Sequence, residues 1–420
     1  MKLPQNVIPW VIRRDLAWRR QAQPRPAWFW RRLPGAAKYR GCWLLMDRDT
    51  EAHDNAEHLY RYLRDKHPEI NAWFVLRRNS KDWAKLSAQG FRLISYGSWQ
   101  HALALTQCQE LVSSQIDHYV VSPPVVWWLR RRPWRFTWLQ HGVINYDLSK
   151  WINPKPISLM VTSSRPEYEA ISGPNTEYVF SPSQVLLSGQ PRHDTLLAKA
   201  ALVPANARNL VVLMPTWRKD LVSGGIGLGN KRQSNSQFWD SPFIGQWTAL
   251  AQNPKLQELA VNNNLEIAIL PHPALGEILQ SRPLPGVTYL NYLDNDVQDV
   301  LAHAAVVVTD FSSIAFEAAL VDRPVVYFQF DKERFFSGTH IGGRGYFEYE
   351  DDGFGPVCET VPEVVTAISD IVRNCRVPGP PFDARMAQTM SLRDGQASAR
   401  IVAAIQNVAS RNAAARGGGG

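Results

Sequence analysis

Two histidines in this sequence follow apolar runs in settings suited to proton transfer or to holding an anion. His141 lies in Gln140-His141-Gly142, directly after RFTWL. A glycine at 142 lets the backbone turn sharply and leaves the imidazole exposed at a strand tip, where a histidine works as a general base near neutral pH. The plainer alternative is a structural, hydrogen-bonded histidine. His272 follows LEIAIL and stands between Pro271 and Pro273, which fix its backbone and remove competing amide donors. After NLVVLM comes Pro215-Thr216-Trp217-Arg218, where Arg218 suits a phosphate oxygen or, equally, a surface salt bridge. The richest cluster is VVVTDFSSI, a buried strand that breaks into Asp310, Ser312 and Ser313 and then the helix IAFEAAL. Ser312 or Ser313 is a natural N-cap, and free helix amides flanked by hydroxyls suit a diphosphate. Glu317, about one turn in, suits the ribose hydroxyls of a nucleotide lying along that helix. The alternative here is an ordinary capped helix with Asp310 in its turn. GQPRHD adds Arg192 and Asp194, which either touch a donor or lock a hinge.

These residues act together only if the chain holds many strand tips at one level. From Cys42 onward, short apolar runs alternate with helical stretches: CWLLMD, a helix near 52–66, INAWFVL, a helix near 81–89, FRLISY, ELVSSQ, RFTWLQHG, ISLMVTSS and VLLSGQPRHD. A second series runs from NLVVLMPTWR through a helix near 243–263, LEIAILPHP, VTYLNY, a helix at 297–303, AVVVTDFSS, a helix at 314–321 and PVVYFQF. Repeated β/α units imply parallel sheets covered on both faces. The expected fold is therefore α/β with two doubly wound, Rossmann-like domains, and ligands belong beyond the carboxyl ends of the strands. The expected divisions are an arm at 1–40, an acceptor-side domain at 41–200, a donor-binding domain at 205–385 and a closing helix at 386–416. The Gly/Ser/Asn-rich stretch between Leu221 and Ser241 reads as a mobile loop beside the second domain's ligand. Its IGLGN is no dinucleotide fingerprint, because it lacks the strand, the GxGxxG spacing and the helix.

Charge and composition narrow the class. The chain has 420 residues, 45% of them apolar and 20% charged, enough for a sizeable core. Residues 1–40 hold ten Lys or Arg and one acid, so this segment carries +9 of a net +8 and the remainder sums to −1. The basic character is thus local. It is mixed with Trp10, Trp18, Trp28 and Trp30, and cations interleaved with indoles suit an anionic headgroup layer. The alternative is a solvated basic tail or an arm folded onto the body. No nucleic-acid motif accompanies the charge, so nucleic acid is not an expected partner. Four scattered cysteines, Cys42, Cys108, Cys358 and Cys375, have neither CxxC spacing nor disulfide density, which points to a reducing compartment and no structural zinc. No window approaches the roughly 20 apolar residues that span a bilayer.

Taken in order, QHG, GQPRHD, PTWR, LPHP, TDFSSIAFE, PVVYFQFD and the late DGQASAR resemble the CDP-glycerol glycerophosphotransferase family, the teichoic-acid-type polyol-phosphate polymerases, over roughly residues 135–405. The resemblance implies a GT-B architecture with the active site in the interdomain cleft. It implies CDP-glycerol, with CDP-ribitol as rival, as donor and a growing polymer or its lipid-linked primer as acceptor, and CMP as leaving group. His141 matches the family's base and His272 the histidine at the diphosphate. Asp310, Ser312 and Ser313 match the segment that cradles that diphosphate, with Arg218 and Glu317 as further donor contacts and Gly142, Arg192, Asp194 and Thr216 as secondary candidates. No cofactor is obligatory, with Mg left open. Members are peripheral proteins on the cytoplasmic face of the bacterial inner membrane, which agrees with the arm. After HG the sequence reads Val143-Ile144-Asn145-Tyr146-Asp147 where Gram-positive members carry a Thr-Pro-Leu-Lys-like run, which leaves the acceptor side and the polyol open, while the aromatic- and Arg-rich stretch from Trp127 to Trp138 and the short N-terminal arm suggest a Gram-negative capsule or surface-polymer relative. Two readings compete: a GT-B glycosyltransferase using a nucleotide sugar such as CMP-Kdo, and a non-catalytic membrane-bound scaffold of a polymer-export complex.

Overall fold

Runs of aliphatic and β-branched residues too short for a helix set the strands, and polar caps set where each helix begins. The computed structural model describes residues 32–123, 132, 134–218, 220–223, 233–234, 238–272, 275–292, 294–339 and 344–417. Most of the basic arm (1–31), part of the Arg/Trp-rich stretch (124–131 and 133), most of the Gly/Ser-rich loop (224–232 and 235–237) and Pro273 lie outside these residues.

Two parallel sheets carry the described chain. The first comprises β1 (Trp43–Met46), β2 (Ala72–Leu76), β3 (Leu93–Ser95), β4 (Glu110–Ser113), β5 (Arg135–Trp138), β6 (Leu159–Thr162) and β7 (Val185–Leu187), in the order 3-2-1-4-5-6-7. The second comprises β8 (Leu210–Met214), β11 (Glu266–Ile269), β12 (Thr288–Tyr289), β13 (Ala304–Thr309), β14 (Val325–Phe328) and β15 (Val357–Cys358), in the order 12-11-8-13-14-15. A separate antiparallel pair, β9 (Val222–Ser223) and β10 (Gln233–Ser234), occupies the loop after β8. In both sheets the order reverses beside the first strand of the series, β1 or β8, the doubly wound arrangement that opens a crevice at the strands' carboxyl ends. Compact packing divides the chain into residues 1–141 with 155–160, and residues 142–154 with 161–420.

Burial explains the order. All six residues of β13 are buried, with Val306, Val307 and Val308 at 0% exposure, so it lies inside its sheet rather than at an edge. Each such valine contributes about 1.5 kcal/mol or more by leaving water. The helices named here are α1 (Asn55–Lys66), α2 (Asp82–Ala88), α3 (Trp99–Gln107), α4 (Arg165–Ser172), α5 (Pro191–Ala201), α6 (Pro242–Ala251), α7 (Pro254–Asn262), α8 (Val297–His303), α9 (Ile314–Leu320), α10 (Val361–Arg373), α11 (Phe382–Thr389) and α12 (Ala397–Gly417).

Three expectations change. The single helix near 243–263 is two, α6 and α7, because Pro254 cannot continue a helix and Asn253 caps a new one by accepting from Lys255 N and Leu256 N at 3.0 and 3.3 Å. The helix expected from 52 begins at Asn55, since Asp54 takes the cap position and accepts from Asn55 N at 2.8 Å. An additional helix, α11, precedes the last one.

Candidate functional site

In the first unit, β5 ends at Trp138 and the chain turns at Gln140, whose φ is +64°. That left-handed residue makes the sharp turn expected of Gly142. The side-chain amide of Asn55, at the start of α1, donates to the Gln140 carbonyl at 2.9 Å and pins the turned segment. His141 follows, its side chain 58% exposed, with Nδ1 against the carboxylate of Asp54, which is 8% exposed. Behind Asp54 stands Asp47, immediately after β1. Its carboxylate accepts from the amides of Asp54, Ala56 and Glu57 at 3.2, 2.9 and 3.2 Å and from the Ser114 hydroxyl at 2.5 Å. Burial, and then the neighbouring Asp54, push Asp47 up to about 8, against the lowering effect of its donors. Neither Asp47 nor Asp54 was singled out in the sequence. The available signal was three aspartates, Asp47, Asp49 and Asp54, in MDRDTEAHDN, between the first strand and the first helix.

In the second unit the tips of β8 and β13 are bound together. The Asp310 carboxylate accepts from the Thr216 amide at 3.0 and 3.3 Å, from the Phe311 amide at 2.7 Å and from Arg218 Nη2 at 2.9 Å. Arg218 also donates from Nε and Nη2 to Asp331, both at 2.9 Å, and from Nη1 to the Thr216 carbonyl at 2.8 Å. Its guanidinium carbon lies 4.8, 5.3 and 4.9 Å from the ring centres of Phe243, Phe311 and Phe335. Burial works against its charge, but Asp310 and Asp331 hold Arg218 above its ordinary value. Arg218 and Asp310 are thus buried and paired with each other, with Asp331 as a second partner of Arg218; the sequence left Arg218 between a phosphate oxygen and a surface salt bridge and placed Asp310 in the segment that cradles the diphosphate. Gln329, just past β14, donates to the Asp310 carbonyl at 2.9 Å.

This bracing fixes the backbone around three hydroxyls. Ser312 Oγ accepts from the Ile314 amide at 3.3 Å, so it is Ser312 that caps α9. Ser313 occupies the cap position with helical backbone angles and no capping bond of its own. A Cβ on Gly142 would stand 2.6 Å from Ser313 Oγ, so a side chain at 142 would push that hydroxyl out of its position. The Thr216 hydroxyl oxygen is buried and has no hydrogen-bond partner among the described residues. His272 is half-buried past β11, its ring 6.2 Å from that of Trp217, which brings this histidine beside the PTWR motif. Tyr146, from the segment after His141-Gly142, donates to the Phe311 carbonyl at 2.7 Å.

The remaining candidates form a separate group. Arg192 Nη2 meets Glu317 Oε1 at 2.5 Å with both side chains under 10% exposed, so Glu317, expected on a ribose, is engaged by a cation. Asp194 accepts from the amides of Ala397 and Ser398 at 2.8 and 2.9 Å, capping α12. Of the two readings for GQPRHD, these contacts are those of a lock between elements. Among the described residues, no group of three or more His, Cys, Asp or Glu could hold a metal ion.

Comparison with known proteins adds lineage to this geometry. Residues 30–407 match the model of the family described as CDP-Glycerol:Poly(glycerophosphate) glycerophosphotransferase. The minor teichoic acid biosynthesis protein GgaB of Bacillus subtilis is 31% identical over 338 residues, covering 79% of this chain and 36% of that protein. The teichoic acid poly(glycerol phosphate) polymerase of the same organism is 23% identical over 338 residues, covering 76% of this chain and 42% of that one. The chain therefore spans about two fifths of the length of these curated relatives. Among solved structures, the wall teichoic acid polymerase TagF superposes with a TM-score of 0.66 at 14% identity, over 96% of this chain and 97% of that one, which establishes a shared fold.

Proposed function

The chain belongs to the CDP-glycerol:poly(glycerophosphate) glycerophosphotransferase family, and from that premise we propose that it transfers glycerol phosphate from CDP-glycerol to a hydroxyl of a growing cell-surface polymer or its lipid-linked primer. The acceptor oxygen forms a bond to the β-phosphorus, the bond from that phosphorus to CMP breaks, and its electron pair leaves with CMP. The acceptor's proton passes to His141. The observation that carries this reading is the exposed imidazole of His141 at a strand tip with a carboxylate on its far nitrogen, the arrangement of a general base. Phosphoryl transfer needs alignment and charge neutralisation more than covalent chemistry. We assign the diphosphate to His272, Ser312, Ser313 and the Thr216 hydroxyl, which has no hydrogen-bond partner among the described residues. Arg218 and Asp310 hold those groups in register rather than contact the donor. In the same reading, residues 1–40 hold the protein to an anionic membrane surface. Among the described residues no helix is long and apolar enough to cross a membrane.

The test is CMP release by the purified chain offered CDP-glycerol, CDP-ribitol or CMP-Kdo with a lipid-linked acceptor. Release from CDP-glycerol that falls about 100-fold or more in His141→Ala is expected. Release from CDP-ribitol alone would change the polyol. Release from CMP-Kdo alone would make the protein a glycosyltransferase. Cellular polymer left intact by His141→Ala but abolished by loss of the arm would make it a scaffold.

A further inference from the structure

An imidazole can accept a proton on Nε2 only if its own proton rests on Nδ1, and whatever bonds Nδ1 decides that. His141 Nδ1 lies against Asp54 Oδ2, while Asp54 Oδ1 accepts from the Asn55 amide at 2.8 Å. One carboxylate therefore does two things: it starts α1 and it faces the candidate base. The backbone under Asp54 is fixed, because its amide is held by Asp47 at 3.2 Å and Asp47 accepts from three further donors. The preceding residue is also clamped. His53 has a φ of +75°, its amide donates to Glu57 Oε2 at 2.8 Å, and its Nε2 lies 2.7 Å from Asp82 Oδ1. On the other side, Asn55 Nδ2 holds the Gln140 carbonyl at 2.9 Å, so consecutive residues 54 and 55 grip consecutive residues 141 and 140. The exposures of 58% for His141 and 8% for Asp54 leave the Nε2 side of the ring outward and the Nδ1 side inward.

We propose that Asp54 is the positioning residue for His141, holding the imidazole as the Nδ1–H tautomer so that Nε2 is the atom that takes the acceptor's proton. This rests on His141 being the base of the proposed transfer. Asp54 touches no substrate. It acts by orienting the ring and by stabilising the imidazolium that forms when the acceptor hydroxyl is deprotonated. In the cycle Asp54 stays a carboxylate, and the proton taken by Nε2 is returned to solvent after CMP leaves.

Asp54→Asn separates this role from capping, since asparagine caps a helix as well as aspartate. With the amide oxygen kept on the Asn55 amide, its NH2 faces Nδ1 and favours the opposite tautomer. In the full-length protein, Asp54→Asn is expected to keep the wild-type melting temperature and donor KM while kcat for CMP release falls about 100-fold or more. Nitrogen-15 NMR of histidine-labelled protein, with His141 assigned by His141→Gln, is expected to show the Nδ1–H form in the wild type and its loss in Asp54→Asn. A kcat within threefold of wild type, alongside an inactive His141→Ala, overturns the proposal. Should the wild type release no CMP from CDP-glycerol, or His141→Ala stay active, it is the transfer reading that fails. The NMR result then decides the pairing by itself: an unchanged tautomer overturns it, and a lost Nδ1–H form supports it.

Discussion

At the scale of single residues, the most consequential contact in the second unit is between Arg218 and Asp310. Asp310 is at 0% and Arg218 at 2% exposure, so neither charge is shared with water. Removing one partner of such a pair strands the other, typically at a cost of about 3–5 kcal/mol, whereas replacing both costs far less. Arg218→Met is therefore expected to destabilise the protein by about 3 kcal/mol or more in denaturant titration, and Arg218→Met with Asp310→Asn by clearly less. A single-variant loss under about 1 kcal/mol would show that the buried pair is not the brace described here. Sequence reading found both residues but not their pairing. A DFSS segment after a strand looks the same whether its aspartate faces a ligand or an arginine 92 positions earlier.

At the scale of elements, helix starts carry much of the polar bookkeeping, and α3 shows how one of them becomes sensitive to pH. Ser98 Oγ accepts from the His101 amide at 3.2 Å, and His101 Nδ1 accepts in return from the Gly97 amide at 3.1 Å. This reciprocal cap requires a neutral imidazole, and burial lowers His101 to about 4. Between pH 6.5 and 4 the unfolded chain binds a proton at His101 that the folded chain refuses. The stability present above pH 6.5 is consequently lost as pH falls through this window, by up to about 3 kcal/mol. Chemical denaturation at pH 7 and pH 4.5 is expected to show a smaller pH-dependent loss for His101→Gln than for the wild type. Equal losses would show that His101 does not titrate this way. The helices themselves were legible where aliphatic spacing and a cap agreed, as at α8 and α9. The break between α6 and α7 was missed because apolar spacing continues across Pro254 while the backbone cannot.

For the whole molecule, the distribution of charge matters more than its sum. With +9 in residues 1–40 and −1 in all the rest, attraction to an anionic surface is a property of one segment. Screening shortens the reach of such charges from about 10 Å at 0.1 M salt to about 3 Å at 1 M. Binding to phosphatidylglycerol-containing vesicles is expected at low salt, lost at 1 M salt, and absent after deletion of residues 1–31. Binding that survives high salt would point to an apolar anchor, and binding that survives the deletion would place the contact on the body of the protein.

The sequence alone determined the α/β class with two parallel sheets, the positions of most strands, and the histidines, serines and aspartate that end them. Strand identity is a local matter: six consecutive buried residues such as Ala304–Thr309 read as a central strand wherever they occur. Partnership is not local. That Asp54 backs His141, that Arg218 is spent on Asp310 and Asp331, that Arg192 takes Glu317 and that Asp194 caps α12 were decided only by the tertiary structure. Each joins residues between 87 and 203 positions apart in the His141, Arg218–Asp310, Arg192 and Asp194 contacts, and no spacing rule in one chain reports such distances. A charged side chain near a strand tip faces either a ligand or another buried charge. Its residue type is identical in both cases, and only the packing that removes it from water selects between them.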